Sequence, residues 1–505
     1  MMLAQNAVQD KLQALIQQVT GLFQTVQRAA EEGRPIHEVE RDLWALCLCM
    51  GRQAMLCFLD LVGDGEQGPA QTLPDGRTLK RLEERHGRDC RAIFGVFRLE
   101  RVVYGTCKGE KIEHVPLDAR LHLPASEFSY VLQDSAQALA VENAFAPVAD
   151  TLERILGLRI SVDSLERMNR QMAAWVDEFR AEQPAPAEEE EGEILVATAD
   201  GKGIPMVREG DRTPAGRPRR KGEKANKKQM ATLGAVYSVD PKHRTAEEVV
   251  AALFRERRPR EEGWDAEPVA EQRRLCASLS YEDPSGWMDG EDWVFQWMEE
   301  EVATRRYRGQ PLVCLMDGQE SLWATRQRRL PQDEQAVDIL HLLHVTPRIW
   351  QAAYLFHAEG SAAAEEFVRR RLLAILQGRA GYVIGGLRQM ARKRKLRGTP
   401  LRKLQVICNF LQRNLPRTRY EEYLAPGYPI ASGVIEGACR HVVKERMERA
   451  GMRWVVAGAR AMLDLRTTYV NGQSDAYQEY RIERERQRLY PHQKSQNVAP
   501  CPLAA

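Results

Sequence analysis

Two aspartates in this 505-residue chain share one local context. Asp200 ends the apolar run Ile-Leu-Val-Ala-Thr-Ala, and Asp317 ends the run Leu-Val-Cys-Leu-Met. Short apolar runs of this length predict buried strands, so each carboxylate is expected at a strand end on the rim of a sheet. A glycine follows each aspartate, Gly201 and Gly318, and is expected to permit a sharp turn and to keep the approach open. Strand-terminal aspartates are also common turn formers, which is the structural alternative.

A third carboxylate, Glu436, lies among small residues in the predicted first turn of a late helix. Mg²⁺ prefers oxygen ligands and usually takes one or two carboxylates. A pair of Mg²⁺ ions (or Mn²⁺) about 4 Å apart activates a nucleophile and stabilises the leaving oxygen in phosphoryl transfer. The three carboxylates therefore predict a two-ion site. Glu445 and Glu448 are rival third ligands, but they lie in a charged stretch typical of a solvated helix face, which favours Glu436.

Two local basic stretches predict contact with nucleic acid, although the formal net charge is only +2. Between residues 202 and 228 there are ten Lys and Arg and three acids, and between 369 and 403 there are twelve Lys and Arg and no acid. Charge runs are usually solvated faces, yet a helical stretch without any carboxylate favours phosphate contact with counterion release. The first run is expected to form a mobile loop at the mouth of the site. The candidate DNA-contacting residues are Lys202, Arg217, Arg219, Arg220, Lys221, Lys224, Lys227, Lys228, Arg392, Lys393, Arg394 and Lys395.

The N-terminal third is predicted to be mainly helical with a small β-hairpin. Apolar spacing predicts helices over 7–60, with Leu43–Val62 as a buried helix. Strand-like residues over 92–115 predict a hairpin that turns at Lys108-Gly109.

Two short helices after this hairpin are predicted to form a helix-turn-helix. The first helix, 144–156, is expected to end at Gly157, and Ser161 is expected to cap the second helix, 162–175. In a helix-turn-helix the second helix enters the DNA major groove. A helical hairpin without DNA contact is the alternative.

The clearest linker is Pro-Ala-Pro-Ala from residue 184, followed by Glu188–Glu191, whose adjacent carboxylates are expected to stay solvated. Strand and helix candidates then alternate, a long helical stretch follows, and the tail beyond about 478 is expected to be loose. The predicted segments are an N-terminal helical and hairpin domain 1–125, a helix-turn-helix region 126–183, a linker 184–193, a first catalytic part 194–346, an all-helical insertion 347–428, a catalytic C-terminal helix 429–470 and a flexible tail 471–505.

The composition argues against a disordered chain, a structural zinc site, a disulfide framework and a membrane protein. Hydrophobic residues make up 43% and charged residues 29%, which is typical of a folded chain. The 10 cysteines form no Cys-x-x-Cys pair, and Cys107 in the hairpin has no partner cysteine nearby, so no structural zinc and no disulfide framework are predicted. No signal peptide is recognisable, and the most apolar stretch carries Arg52 and Asp60, so no membrane association is expected. The expected compartment is the cytoplasm, at the nucleoid.

The strings Ala-Thr-Ala-Asp200-Gly-Lys-Gly, Leu-Met-Asp317-Gly and Ser432-Gly-Val-Ile-Glu436-Gly-Ala-Cys-Arg-His resemble bacterial insertion-sequence transposases of the DDE class, the ISKra group in particular. The resemblance implies an α+β fold. Its catalytic domain would be RNase H-like, a mixed five-stranded sheet flanked by helices with an all-helical insertion. Asp200 would lie on the first strand, Asp317 on the fourth, and Glu436 on the helix after the insertion.

The same resemblance implies an enzyme that cuts DNA at transposon ends and transfers strands to target DNA, acting as a homo-oligomer. Asp338-Ile-Leu-His341 is also similar to the Asp-x-x-His signature of Mutator-like transposases, where the histidine supports the active site. Hydrogen bonding of Asp338 and His341 inside the fold is the alternative. Two other functions stay open: a DNA-binding regulator with an inactive catalytic domain, and a metal-dependent nuclease without strand transfer.

Overall fold

The computed structural model describes residues 2–106, 112–207, 228–256, 268–283, 286–449 and 451–491. The chain divides into two compact units, residues 1–175 with 475–505 and residues 176–474. The predicted linker at 184–193 therefore lies inside the second unit. The architecture is α+β, as predicted, with a mixed five-stranded sheet in the second unit.

The first unit is mostly helical. Its helices are α1 (Met2–Glu31), α2 (Ile36–Val62), α3 (Pro116–Arg120), α4 (Tyr130–Ala140), α5 (Phe145–Leu156), α6 (Val162–Met172) and α19 (Ser474–Leu489). Its strands are β1 (Ala70–Thr72), β2 (Thr78–Arg81), β3 (His86–Ala92), β4 (Gly95–Arg101) and β5 (Tyr104–Gly105). β1, β2 and β5 form an antiparallel sheet in that order, and β3 pairs with β4 as a hairpin.

The hairpin turns earlier than predicted. Ala92 pairs with Gly95, so Ile93 and Phe94 form the turn. Gly95 has a φ of 125°, a conformation that glycine adopts without steric cost, and this positions the tight turn. The predicted turn at Lys108-Gly109, together with Cys107, lies outside the described residues.

The predicted α5 and α6 are confirmed with their caps. α5 ends at Gly157 with a left-handed φ of 68°, and the Ser161 hydroxyl accepts a hydrogen bond from the Ser164 amide at 3.1 Å. α6 ends at Met172, three residues before the predicted end. Contact of α6 with DNA stays a prediction.

Two expectations about the first unit were wrong. α2 was expected to be buried, but only 6% of its most apolar 18-residue window is buried, and by length and composition alone it is the one helix in the described part of the chain that qualifies to cross a membrane. The tail was expected to be loose, but α19 is helical. Its Tyr477 hydroxyl donates to the Met172 carbonyl, and its buried Arg481 donates to Gln133 at 3.0 Å. These anchoring contacts join residues far apart in sequence, and composition does not reveal them.

The second unit is built on the five-stranded sheet, in the order β12-β11-β6-β7-β8. β6, β11 and β12 run parallel, and β7 and β8 run antiparallel to their neighbours. The strands are β6 (Ile194–Pro205), β7 (Lys228–Val239), β8 (Glu271–Leu279), β11 (Leu312–Met316) and β12 (Ala336–Leu340), with β9 (Tyr281–Asp283) and β10 (Gly286–Met288) as a separate hairpin.

Helices cover both faces of this sheet. They are α7 (Val176–Ala181), α8 (Ala246–Leu253), α9 (Gly290–Arg305), α10 (Glu320–Arg329), α11 (Leu342–Ala353), α12 (Ala362–Leu376), α13 (Ala380–Lys393), α14 (Gly398–Arg413), α15 (Tyr420–Leu424), α16 (Gly433–Ala438), α17 (Glu445–Met447) and α18 (Val456–Val470). Leu195 and Ala197 of β6 pack with α9 and α10, whereas Val196 packs on the opposite face with α11 to α15. This alternation is the two-residue period of a strand covered on both sides.

Two boundaries in the second unit differ from the prediction. The helical stretch begins at Leu342 and not at 347, because Pro347 lies inside α11 and does not begin a helix. The single helix expected after the insertion is interrupted, because a π-helix over Cys439–Lys444 separates α16 from α17.

The acidic linker is partly buried, contrary to expectation. Glu191 is 1% exposed and pairs bidentately with Arg305, at 2.7 and 3.0 Å, and Arg305 also contacts Glu301 at 3.3 Å. Arg305 has no exposed side-chain surface. The buried guanidinium thus has two counter-charges, and loss of Glu191 would leave it with Glu301 alone, which also pairs with Arg274.

Glu191→Gln is expected to destabilise the second unit by about 3 kcal/mol, because it removes one of the two counter-charges of a buried arginine. Urea unfolding of the full chain followed by tryptophan fluorescence measures the change. The control is Glu189→Gln, an exposed position in the same acidic run, which is expected to leave stability unchanged. Equal stability of Glu191→Gln and wild type would contradict the assignment.

Candidate active site

Asp200 and Asp317 occupy matching positions on neighbouring parallel strands. Ala199 of β6 pairs with Met316 of β11, and the two aspartates are the next residues on each strand. Neighbouring strands lie about 4.8 Å apart, and side chains at matching positions point to the same face. Both carboxylates therefore project beside each other on the face that α11 to α15 cover.

The prediction that β6 ends at Asp200 was wrong. β6 continues to Pro205 because β7 pairs with it throughout, with Asp200 opposite Leu233. β11 stops at Met316, so Asp200 is the first β6 residue without a strand neighbour on that side. The Asp200 carboxylate is therefore held by a strand that is still paired with β7, at the position where β11 has ended.

The chain bends at Gly318, as expected, whereas Gly201 lies within β6 with ordinary strand backbone. Gly318 has no positive φ, and glycine is required there by packing, since a Cβ would lie 2.0 Å from the Phe410 ring and 3.0 Å from the Asn414 amide.

Asp317 is half-buried next to a second negative charge. Its Oδ1 accepts a hydrogen bond from the Gln319 amide at 2.8 Å. Burial, and then the nearby Asp200 carboxylate, raise the pKa of Asp317, whereas the Gln319 amide, His344 and Arg348 act in the opposite direction. The pair thus concentrates negative charge where desolvation disfavours it.

Asp200 accepts two hydrogen bonds. Its own following amide, Gly201 N–H, donates to Oδ1 at 2.7 Å, and the Cys439 thiol lies 3.4 Å from Oδ2 as donor. Burial and the Asp200 carboxylate raise the pKa of the Cys439 thiol, so this thiol stays protonated. Cys439 begins the π-helix that follows α16, and π-helical turns are frequent at functional sites.

Glu436 reaches the same region from α16. Its Oε1 lies 3.1 Å from Nε2 of His344, which is in the first turn of α11. Glu436 and Asp200 both influence the Cys439 thiol, which places the two carboxylates around one side chain. The structure thus gathers the three predicted carboxylates on one face of the sheet.

The rival carboxylates are engaged elsewhere. Glu445 pairs with Arg440 at 2.7 Å and with His441 at 2.8 Å, and Glu448 pairs with Lys228. Lys228 is therefore neutralised in this structure and is not a free cation for DNA.

His341 is buried at the end of β12 and forms backbone contacts. In the neutral ring one nitrogen accepts and the other donates: Nδ1 accepts from the Leu343 amide at 3.3 Å while Nε2–H donates to the Ser432 carbonyl at 3.1 Å, or in the other tautomer Nε2 accepts from the Ser432 amide at 2.9 Å. Burial lowers the pKa of His341 to about 4, so the ring is neutral. These contacts fasten the segment before α16, which makes His341 a positioning residue for Glu436.

Asp338 and His341 face opposite sides of the sheet. Asp338 pairs with Cys314 in register and forms an ion pair with the buried Arg326 of α10 at 2.6 Å. Burial raises the pKa of Asp338 against the influence of Arg326 and Arg417. The Asp-x-x-His string is thus divided between two layers, and Asp338 does not adjoin Asp200 and Asp317.

Three side chains can offer atoms to a metal ion by distance alone. Ligand atoms of His341, His344 and Glu436 lie within 4.8 Å of one another. The backbone contacts at both nitrogens of His341 argue against its use as a ligand, because in the neutral ring one nitrogen carries the proton and the other already accepts an N–H, which leaves no lone pair for a metal. Carboxylate oxygens of Asp200, Asp317 and Glu436 form the better set for a hard cation.

The two basic stretches differ in how their charge is balanced. In the second stretch, Arg369 pairs with Glu256 at 2.7 Å and Arg370 pairs with Glu366. Within the described part of the chain, none of the eight Lys and Arg from 388 to 403 forms an ion pair, and all eight are exposed. These unpaired cations are Arg388, Arg392, Lys393, Arg394, Lys395, Arg397, Arg402 and Lys403.

The unpaired cations border a cavity of about 500 Å³ between α13 and α14. Arg388, Arg392 and Lys395 lie at its rim, and Leu401 and Leu404 form part of its floor. In the first stretch, Lys202 is half-buried beside the site and acts on the Cys439 thiol. Arg217, Arg219, Arg220, Lys221, Lys224 and Lys227 lie outside the described residues.

Comparisons with known proteins add little. No protein-family model matches the sequence, and no curated protein matches it. A solved structure described as the Drosophila P element transposase strand transfer complex matches with 10% identity over 70% of this chain and 80% of that chain, at a TM-score of 0.23. A likeness at this TM-score carries no argument about fold or function.

Sequence reasoning missed two residues of the site. His344 follows His341 by three positions at the start of a helix, and residues three apart are neighbours on a helix surface. The sequence therefore could have indicated that His344 lies near His341. Arg348, one further turn along α11, stacks over Phe410 at 4.5 Å and lowers the pKa of Asp317. No sequence signal marks this contact because it joins separate helices.

Because the folded state disfavours charged His341, stability is expected to depend on pH. The pKa is about 4 when folded, against 6.5 for the free side chain. The unfolded chain binds the proton first, so folding stability is complete above pH 6.5 and falls by about 3 kcal/mol as pH decreases towards 4.

His341→Gln is expected to remove this pH dependence. Thermal unfolding midpoints between pH 7.5 and 4.5 measure it, and the exposed His37→Gln serves as the control that retains the wild-type slope. A slope that is unchanged in His341→Gln would show that other groups cause the loss.

Proposed function

We propose that this chain is a DDE-class transposase of the insertion-sequence type. Its reaction would be metal-dependent DNA strand cleavage at transposon ends followed by strand transfer to target DNA. The observation that carries the proposal is the convergence of Asp200, Asp317 and Glu436 on one face of a mixed sheet, from two adjacent parallel strands and a helix. The resemblance of the same three sequence segments to DDE transposases supports the assignment independently of that geometry.

The strand order supports an RNase H-like assignment of the catalytic domain. Three consecutive antiparallel strands, β6, β7 and β8, form one side of the sheet, and β11 and β12 extend it on the other side in parallel with β6. Asp200 lies on the first of these five strands, Asp317 directly follows the fourth, and Glu436 follows five helices.

The donor set fits a hard divalent cation. Asp317 Oδ2 and Glu436 Oε2 have no hydrogen-bond donor among the described residues. Burial, and after it the Asp200 carboxylate, raises the pKa of Asp317, and a bound cation would offset both effects by stabilising the charged form. Asp200, Asp317 and Glu436 would hold magnesium. When bound, such ions lower the pKa of a water nucleophile and stabilise charge on the leaving oxygen.

The chain's own residues have separate roles in the proposed reaction. His344 orients Glu436 through their 3.1 Å contact, and His341 fixes the segment that precedes α16. Water would attack the phosphorus at the transposon end and release a 3′-hydroxyl, which then attacks a target phosphodiester and displaces its 3′-oxygen. No covalent protein intermediate is required, in agreement with the protonated Cys439 thiol.

The unpaired cations of α13 and α14 are the proposed DNA-binding surface. Eight positive side chains without internal counter-charges gain most from phosphate, because binding releases condensed cations from the DNA. The surface lies in the same unit as the three carboxylates. A homo-oligomer is proposed as the active form, since both ends of an element must be processed together.

Asp200→Asn, Asp317→Asn and Glu436→Gln are each expected to reduce strand cleavage by about 1,000-fold or more, which corresponds to about 4 kcal/mol of transition-state stabilisation. The assay uses labelled DNA from the ends of the element with Mg²⁺, and DNA binding in the same samples is expected to persist. Glu445→Gln is the matched control and should retain cleavage. Cleavage by a triad variant would remove that residue from the site.

The same assay separates the alternative functions. A DNA-binding regulator with an inactive domain shifts the labelled DNA without cutting it. A nuclease without strand transfer cuts the ends but never joins them to a target plasmid.

Arg392→Ala combined with Lys395→Ala is expected to reduce the slope of log affinity against log salt by about 2, one unit for each lost phosphate contact. Fluorescence anisotropy with duplex DNA at several salt concentrations measures it. The control is Arg369→Ala with Arg370→Ala, which removes the same charge from ion-paired positions and should leave the slope unchanged. An equal effect in both double variants would contradict the assigned surface.

A further inference from the structure

We propose that Arg348 of α11 binds the phosphate group that is attacked at the candidate active site, on the side where Asp317 lies. Arg348 follows His344 by four residues, and side chains four residues apart in a helix lie on the same surface. His344 contacts Glu436 at 3.1 Å, so this surface of α11 faces the three carboxylates. The inference rests on the proposed function, because it assigns a role within that reaction.

Phe410 of α14 connects the Arg348 side chain with the segment that carries Asp317. The Arg348 guanidinium lies over the Phe410 ring at 4.5 Å. The same ring packs against the backbone directly after Asp317, since a Cβ on Gly318 would lie 2.0 Å from it. Arg348 is also close enough to lower the pKa of the Asp317 carboxyl group. These contacts place a positive charge next to the aspartate pair.

The Arg348 guanidinium has no polar partner within the part of the chain that the structure describes. It forms no ion pair with a carboxylate there, and none of its N–H groups donates a hydrogen bond. Two other arginines that stack on phenylalanine in this unit do have partners. Arg369 pairs with Glu256 at 2.7 Å, and Arg371 donates to the Phe367 carbonyl at 3.1 Å. Because Arg348 is half-buried, its donors are partly desolvated, and an anionic ligand would compensate them.

A phosphodiester is the anion that suits this arginine. The planar guanidinium fork binds phosphate oxygens in pairs, and stacking on Phe410 orients the fork without using its N–H groups. The phosphate processed at the three carboxylates becomes more negative on its non-bridging oxygens as the nucleophile attacks. A guanidinium already positioned beside Asp317 would stabilise that charge.

The structural alternative is that Arg348 only joins α11 to α14 through the Phe410 ring. Its charge argues against this alternative. A positive charge beside the three carboxylates repels the divalent cation that they would bind. An apolar side chain would pack on Phe410 without that cost, so the charge is better explained by an anionic ligand.

The test compares two quantities measured with the full chain. One is the affinity for Mn²⁺ without DNA, from electron paramagnetic resonance of the free ion, and the other is the rate of strand cleavage on labelled DNA from the ends of the element. Arg348→Gln is expected to bind Mn²⁺ about 5-fold more tightly, because a repelling charge is removed. It is expected to cleave about 100-fold more slowly, because a donor to the phosphate is lost. Arg348→Lys keeps the charge and is expected to cleave within about 10-fold of wild type.

The matched control is Arg371→Gln, which removes the same charge from another position stacked on phenylalanine and should change neither quantity. Slow cleavage by Arg348→Gln with Mn²⁺ affinity at or above the wild-type value supports the inference, since misfolding would weaken both. If wild type cleaves and Arg348→Gln either cleaves equally fast or loses Mn²⁺ binding as well, the inference alone is overturned. Wild type that neither binds Mn²⁺ nor cleaves DNA overturns the proposed function together with it.

Discussion

The parallel register between β6 and β11 is the constraint on which the candidate site depends. It places two carboxylates side by side at the point where one strand stops and the other continues. Burial disfavours the charged form of Asp317 and the neighbouring Asp200 carboxylate adds repulsion, so the pKa of Asp317 is raised. A fold retains such an arrangement only where the surrounding structure holds it, and here the strand backbone, the Gln319 amide and the Cys439 thiol do so.

Helices supply the remaining side chains around the two aspartates. α11 supplies His344 and Arg348 directly after β12, and His341 at its N-terminus ties the approach to α16. Ligand atoms of His341 lie within 4.8 Å of those of His344 and Glu436, so this buried, neutral ring borders the carboxylate whose segment it holds.

The sequence identified three carboxylates that the structure brings to one face of the sheet, and it identified the capped helices α5 and α6, because apolar runs, small-residue contexts and caps are local signals. The role of Asp200, Asp317 and Glu436 as a catalytic set stays a prediction. The continuation of β6 was missed because only its pairing with β7 prolongs it. Glu191 was assigned to solvent because its counter-charge, Arg305, is more than a hundred residues away.

The apolar content of α2 shows the limit of composition as a guide to burial. Leu43–Val62 has the residues of a buried helix, and nothing in the sequence indicates what covers them. One face meets α1, another meets the β3–β4 hairpin, and Phe58 and Leu61 stay exposed. Periodicity identifies apolar faces, but only tertiary contacts distinguish a face that is satisfied from one that is not.

Charged groups in the second unit, like apolar faces, can be separated into those with a partner inside the structure and those without one. The chain is nearly neutral, and many of its ions are paired, as Arg369, Arg370 and Arg305 illustrate. The three carboxylates at the sheet edge and the eight cations of α13 and α14 are groups of one sign instead: among the described residues, Glu436 has only His344 as an ion partner, and none of the eight cations contacts a carboxylate. Like charges that lie close together repel each other, so each group would be stabilised by a partner of opposite sign. This is the physical reason for which we propose a divalent cation at the first group and phosphate at the second.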